Sequence, residues 1–148
     1  MEIKANNLKL KGLKIPFIVT LSMILLFRTV LFIGYVPTAS MEPTLKVGSY
    51  ILGTRFTGEL EVGDIIVFRR DGQLVVKRIA AKGGDQVDLS KLSYMTVLPI
   101  PVWENAIITV PEDSFFVLGD NTENSLDSRY WDDRYVKKQD IVAKLIAN

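Results

Sequence analysis

The sequence predicts a mostly β domain behind a single N-terminal transmembrane helix. Two observations lead to this fold class: a long apolar stretch near the start of the chain, and a series of short β-branched runs separated by Gly, Asp and Pro from Ser49 onward. Short strands with frequent turn signals and no long helical period are typical of β domains. We therefore divide the chain into a basic N-terminus (1–14), a membrane anchor with its exit segment (15–36) and a compact β-rich domain (37–148).

The apolar stretch, residues 15–36, carries one charge, Arg28. As a helix, residues 15–27 rise only about 20 Å against a hydrocarbon core of roughly 30 Å, so we expect the span to begin near Leu8 or Leu10, or to tilt. Four lysines precede the span, which predicts a cytoplasmic N-terminus and an extracytoplasmic domain in a single-pass membrane protein. A cleavable signal peptide is the alternative, but no A-x-A-like site follows, and the stretch exceeds the usual h-region of roughly 7 to 15 residues.

The composition excludes several classes of function. Lys and Arg number 18 and Asp and Glu 17, so the net charge of +1 indicates no nucleic-acid partner. The chain has no Cys and no His, which removes disulfides, thiol nucleophiles and the commonest metal ligand. We expect no metal and no cofactor, and any hydrolytic chemistry must use carboxylates, lysine or hydroxyls.

Seven runs from Ser49 onward have the composition of strands. They are "SYILGT", "GDIIVFRR", "QLVVKRIAA", "DQVDL", "AIITV", "SFFVLGD" and "DIVAKLIA". Asp71-Gly72, between the second and third runs, is the dipeptide expected in a tight hairpin turn. The prediction is that 65–70 pairs antiparallel with 73–80.

Ser40 lies in "PTASMEPTL", directly after the apolar stretch. The usual interpretation of such a serine is an exposed loop that leaves the membrane. However, Pro37 and Pro43 restrict the backbone on both sides and can hold Ser40 rigidly, as a nucleophile requires. A serine nucleophile needs a base, and without histidine that base must be a lysine, as in Ser-Lys pairs.

Lys77, in "LVVKRI", is the best candidate for that base. On a strand it shares a face with Val75 and Ile79, and desolvation among them lowers the pKa of a lysine. From the pattern alone, a surface lysine on a hairpin is the commoner outcome.

The stretch "GDNTENSLDSRYWD", residues 119–132, is the third feature. It follows a predicted strand, and a solvated turn is its ordinary interpretation. Its polar side chains can instead brace a catalytic site.

Four motifs in order, "PTASMEPTL", "GDIIVF", "VVKRI" followed by "GGD", and "GDNTENSLDSRYW", resemble the sequence boxes of bacterial signal peptidase I. That family consists of membrane-bound leader peptidases with a Ser/Lys dyad. The similarity extends from about Leu26 to Lys144. The short interval between Ser40 and Lys77 resembles the compact form common in Gram-positive bacteria.

The resemblance implies a role for each matching residue. Ser40 is the expected nucleophile and Lys77 its general base. Thr38 is expected in the oxyanion hole, and Ser125 to orient the lysine. Charged residues that brace the site are expected at Arg78, Asp120, Asp127 and Arg129. Shallow apolar pockets for small substrate side chains are expected to be lined by Val36, Pro37, Met41, Leu45 and Val76.

The sequence departs from the family pattern at two turns. "KRIAAKGGD" stands where relatives often have a Gly-x-Pro-Gly-Asp turn, and Asp132 replaces the glycine usual after "SRYW". Both departures affect local turn geometry and leave the expected catalytic positions intact.

The resemblance implies a membrane-bound serine endopeptidase with the β fold shared by signal peptidases and SOS-repressor autoproteases. Its substrates would be exported preproteins, cut after A-x-A-type signal peptides through an acyl-enzyme, and its other partner the lipid bilayer. A self-cleaving repressor would need a DNA-binding module and an internal Ala-Gly bond, and the chain has neither. A catalytically inactive, membrane-tethered β module that binds peptides remains the alternative.

Overall fold

The computed structural model describes the backbone of residues 3–93 and 107–146, and the side chains of residues 14–92 and 107–146. Helices α1 and α2 span Ile3–Thr29 and Leu89–Ser93, and 3-10 turns span Ala39–Met41 and Lys138–Asp140. The strands in the described ranges are β1 (Leu31–Tyr35), β2 (Tyr50–Thr54), β3 (Ile65–Arg70), β4 (Gln73–Lys82), β5 (Gln86–Asp88), β6 (Ile107–Thr109), β7 (Ser114–Leu118), β8 (Tyr135–Lys137) and β9 (Ile141–Leu145).

Seven strands form one antiparallel sheet in the order β1-β2-β9-β3-β4-β7-β8, and β5 pairs with β6 in a small second sheet. The prediction of a mostly antiparallel β domain is confirmed. Each of the seven runs predicted to be strands contains one.

The β3–β4 hairpin has the predicted turn. Asp71 and Gly72 adopt φ of +50° and +76°, the left-handed values that a two-residue hairpin turn needs. Arg70 faces Gln73 across the turn, and the register continues to Ile65 opposite Arg78. The hairpin therefore fixes which residues of β4 face the core.

Two strands were not predicted. β8 is only three residues long, too short for a period of two to be recognised. β1 lies inside the stretch 15–36 that we assigned to the membrane anchor and exit segment, and that boundary needs correction. Residues 31–35 pair along their whole length with β2, because the strand and the helix before it are both apolar and the change in structure leaves no composition signal.

The apolar core lies on both faces of the main sheet. Ile65 and Val67 of β3 belong to one cluster with Phe32 of β1, and Ile66 and Phe68 belong to a second cluster with Ile79 of β4. Alternate residues of a strand point to opposite faces, so a strand buried on both faces has a near-continuous apolar sequence. β3 thus holds β4 rigidly in the middle of the sheet.

Helix α1 presents exposed apolar side chains between Ile15 and Phe27. In the part of the chain whose placement is described, no helix combines the length and the apolar character needed to cross a membrane. Most of the predicted cytoplasmic segment, residues 1–14, falls outside the described side chains. The chain passes from α1 to the sheet through Val30, whose carbonyl accepts a hydrogen bond from Arg55 N (2.8 Å).

Candidate active site

Ser40 lies in the 3-10 turn Ala39–Met41 that follows β1. The amide of Glu42 donates to the carbonyl of Ala39 (3.0 Å), and the amide of Leu45 donates to that of Met41 (2.9 Å). We expected an exposed loop, but Ser40 is only 9% exposed and Met41 is fully buried. The expectation of an exposed loop is wrong because Met41 packs into the core and pulls the turn onto the sheet.

Lys77 projects from β4 directly at this serine. Its Nζ donates a hydrogen bond to Ser40 Oγ over 2.6 Å, across 37 residues of sequence. The side chain is 4% exposed, which excludes the surface lysine that the pattern alone favoured. Burial lowers the pKa of Lys77, an effect that the negative charge of Asp127 partly opposes. A desolvated amine bonded to a hydroxyl has the geometry of a general base beside its nucleophile.

Thr38 also donates a hydrogen bond to Ser40 Oγ. Its Oγ1 lies 3.4 Å from Ser40 Oγ, within reach of an atom bound at the serine. Thr38 is exposed, and no side-chain hydrogen bond caps the turn from this position. Its hydroxyl is therefore available to a substrate.

The polar stretch after β7 folds inward, contrary to the solvated turn that is its ordinary interpretation. Asp127 and Arg129 are 0% and 1% exposed and form a two-pronged ion pair, with Nε and Nη2 at 2.8 and 2.9 Å from the carboxylate oxygens. Asp127 Oδ2 also accepts hydrogen bonds from Ser125 Oγ (2.7 Å) and from the amide of Gly119 (2.9 Å). The buried charge of Asp127 thus orders the loop beside the dyad.

Ser125 is buried in this loop, and its observed hydrogen bond leads to Asp127. The expected role of orienting Lys77 stays a prediction. Gly119 explains how the loop comes so close to Ser40. A Cβ built on Gly119 would lie 2.5 Å from both Ser125 Cβ and the Ser40 carbonyl oxygen, so this position has no room for a side chain.

Arg78 and Asp120 form a second pair, which joins β4 to the start of the loop. Arg78 Nε and Nη2 lie 2.9 and 2.6 Å from the two carboxylate oxygens, and Nη1 donates to the Gly63 carbonyl (2.7 Å). Burial acts to raise the pKa of Asp120, but hydrogen bonds from Arg78 and Thr44 outweigh it, so that the pKa is lowered. The pair secures the strand that carries Lys77.

A groove of about 470 Å³ runs alongside the dyad between β1 and β4. Of the residues expected to line it, Val36, Pro37, Met41 and Val76 do. Leu45 instead packs behind the groove in the apolar cluster. Sequence reasoning missed further lining residues, and they are Phe32, Ile33, Gly34, Tyr35, Ile51, Val67, Gln73, Leu74 and Val75. Those of β1 were missed because that strand was assigned to the membrane segment.

Asn121, outside the groove lining, is a further residue that the sequence did not single out. Its side chain and its amide both bond to the turn that carries Ser40. The only signal in the sequence is its place in the polar stretch 119–132, which names no single residue. Among the described residues, no group of three or more His, Cys, Asp or Glu is placed to hold a metal ion.

Comparison with known proteins identifies the family to which this geometry belongs. The family described as "Signal peptidase, peptidase S26" matches residues 10–95 and 94–147. Signal peptidase I of Leptolyngbya laminosa is 30% identical over 97% of this chain and 80% of its own length. Signal peptidase I U of Bacillus subtilis is 33% identical over 87% of this chain and 84% of its own length.

A shorter match is with probable signal peptidase I-2 of Synechocystis sp., which is 33% identical over 66% of this chain. The chain spans about half of that relative, 54% of its length. These matches confirm the resemblance that the four motifs indicated.

Proposed function

This chain belongs to the signal peptidase family, peptidase S26, a family of serine endopeptidases, and from that premise we propose that it removes N-terminal signal peptides from exported preproteins. The observation that carries the proposal is the buried 2.6 Å hydrogen bond between Lys77 Nζ and Ser40 Oγ. In a chain without histidine, this pair supplies both the nucleophile and the base.

The reaction is an acyl transfer in two halves. Neutral Lys77 takes the hydroxyl proton of Ser40 as Oγ attacks the carbonyl carbon of the scissile bond. The oxyanion accepts hydrogen bonds from the Ser40 amide and the Thr38 hydroxyl. The bond to nitrogen then breaks, and Lys77 returns the proton to the leaving amine. A water that gives its proton to Lys77 hydrolyses the acyl-enzyme and frees Ser40.

The groove favours an extended peptide as the substrate. β1 is an edge strand of the main sheet, and within the described part of the chain residues 73–77 of β4 pair only with β3. Both strands therefore present backbone groups to the groove, and a substrate strand can pair with them. Buried Val36 and Met41 stand beside Ser40 and favour small apolar side chains before the cut, as in an A-x-A sequence.

Helix α1 is the proposed membrane anchor. Its apolar side chains between Ile15 and Phe27 are exposed, and four lysines precede Ile15 in the sequence. The lysine bias favours a cytoplasmic N-terminus and an extracytoplasmic catalytic domain. The chain would leave the bilayer before Leu31, where β1 begins.

Incubation of the protein, purified in detergent, with a labelled precursor that carries an A-x-A site tests this function. We expect one cut after the second alanine, identified by mass spectrometry, and no cut with Ser40→Ala. Binding of the precursor without cleavage by the wild type would instead indicate an inactive peptide-binding module.

A further inference from the structure

Asn121 connects the loop after β7 to the turn that carries Ser40. Its Nδ2 donates a hydrogen bond to the Ala39 carbonyl (3.0 Å), across 82 residues of sequence. Its backbone amide donates to the Ser40 carbonyl (3.1 Å). One residue therefore holds both carbonyls that flank the backbone of the nucleophile.

The bond to Ala39 acts on the peptide group that bears the Ser40 amide. The C=O of Ala39 and the N–H of Ser40 belong to one planar trans unit and point in opposite directions. A donor that fixes the carbonyl therefore fixes the direction of the N–H. The Glu42 amide also donates to the Ala39 carbonyl (3.0 Å), so this oxygen accepts two hydrogen bonds.

The same bonds change the strength of the amide as a donor. Hydrogen bonds at a carbonyl polarise its peptide group, and bonds in a chain strengthen one another. The Ser40 N–H is the proposed oxyanion donor. The geometry places Asn121 behind this N–H, on the far side of its peptide group from the reacting atoms.

We infer that Asn121 is a positioning residue for the oxyanion hole, which orients and polarises the Ser40 amide through the Ala39 carbonyl. This inference rests on the proposed function. It predicts that Asn121 stabilises the transition state, in which negative charge develops on the substrate oxygen, and contributes little to substrate binding.

Substitution of the side chain separates this role from simple packing. Asn121→Ala removes the donor, and Asn121→Asp keeps the shape but turns an oxygen toward the Ala39 carbonyl. Removal of a direct oxyanion donor costs about 10²–10³ in kcat, and we expect a loss of about tenfold or more for this indirect one. For Asn121→Ala, KM and the midpoint of the pH–rate profile should stay unchanged, because neither the groove nor Lys77 is touched. The added carboxylate of Asn121→Asp should raise that midpoint, as the charge of Asp120 already acts to raise the pKa of Lys77.

Asn124→Ala is the matched control. Asn124 is an exposed residue of the same loop, and its backbone amide, which donates to the Asn121 carbonyl (3.1 Å), is retained in the variant. We expect Asn124→Ala to cleave the precursor at the wild-type rate. Thermal unfolding of all variants shows whether the domain is intact.

Affinity for a peptide aldehyde gives a second readout. Ser40 Oγ adds to the aldehyde carbon while Lys77 takes and keeps the hydroxyl proton, so the new hemiacetal oxygen carries the negative charge and no group leaves. The corresponding peptide alcohol has no carbonyl and measures binding to the groove alone. Asn121→Ala and Asn121→Asp should lose aldehyde affinity in proportion to kcat and retain affinity for the alcohol.

The outcomes separate this inference from the proposed function. If the wild type cleaves the precursor and both Asn121 variants match it within twofold, the positioning role is overturned and the function stands. Equal losses for aldehyde and alcohol would also overturn it, in favour of a structural role. A wild type that neither cleaves the precursor nor binds the aldehyde would overturn the function and the inference together. If Asn121→Ala fails to fold, the test uses Asn121→Asp alone. A loss of affinity for the aldehyde but not for the alcohol then supports the positioning role, and equal losses overturn it.

Discussion

Lys77 Nζ donates a hydrogen bond to Ser40 Oγ, and both side chains are buried. Catalysis requires the opposite transfer, from the serine hydroxyl to a neutral amine. The environment of Lys77 favours that neutral form, because burial destabilises the charged amine. This desolvation is the largest influence on the pKa of Lys77 and lowers it.

We expect Ser40→Ala and Lys77→Met each to lower kcat/KM for precursor cleavage by about 10⁴ or more, since the two groups act as a unit. The double variant should be no worse than either single one. Lys82→Met, at an exposed lysine of the same strand, is the control and should cleave normally. Activity within tenfold of wild type in either single variant would remove the dyad from the mechanism.

Cleavage should rise with pH through one ionisation below the ordinary lysine value of 10.5, because burial lowers the pKa of Lys77. No ionisation of a histidine can contribute near pH 6.5, as the chain has none. Single-turnover rates measured across pH 6–10 test this. A flat profile over that range would show that another group is the base.

The lowered pKa of Lys77 also predicts that Lys77→Met increases the free energy of unfolding at neutral pH. Below the folded pKa, the folded protein bears a buried charge that the unfolded chain keeps in water, which is a cost to folding. Between the folded and unfolded pKa values only the unfolded chain binds the proton, so the free energy of unfolding rises with pH. The thermal unfolding temperature of wild type should therefore rise with pH in this range. The unfolding temperature of Lys77→Met should depend less on pH. Higher stability of wild type than of Lys77→Met at pH 7 would contradict the argument.

Thr38→Val tests the second oxyanion donor. Valine keeps the shape and removes the hydroxyl, and we expect a loss of about 2.7–4 kcal/mol of transition-state stabilisation. Thr38→Ser should restore most of the activity. The measurement is kcat/KM, and equal rates for the Val variant and wild type would show that the Ser40 amide is sufficient.

The buried pair of Asp127 and Arg129 should matter for stability as well as activity. Arg129→Met leaves the carboxylate buried without its cation, which should cost about 3–5 kcal/mol of unfolding free energy. Lys82→Met, which breaks an exposed pair with Glu61, should leave the urea midpoint unchanged. Similar midpoints for the two variants would show that the loop relaxes around the missing arginine.

Local patterns in the sequence predicted the parts of this protein that depend on neighbouring residues. The alternation along 73–80 and the Asp71-Gly72 turn led to the β3–β4 hairpin and to Lys77 and Ile79 on one face of β4, although the pattern alone favoured a surface lysine. Ser40 and Lys77 were chosen because no histidine was present and because four motifs resembled one family. Such signals are short-range, since a turn and a strand face are set within a few residues.

Only the tertiary structure decided what is buried and what touches across long intervals of sequence. Asp127 and Arg129 stand in a polar stretch that looks solvated, yet the loop folds them beneath the dyad. Part of the predicted membrane exit segment forms β1, and residues of this strand line the groove. The side chain of Asn121 donates a hydrogen bond to the turn that carries Ser40. The physical reason is that strand order and sheet pairing bring residues 37 to 82 positions apart into contact, and no local period records which ones meet.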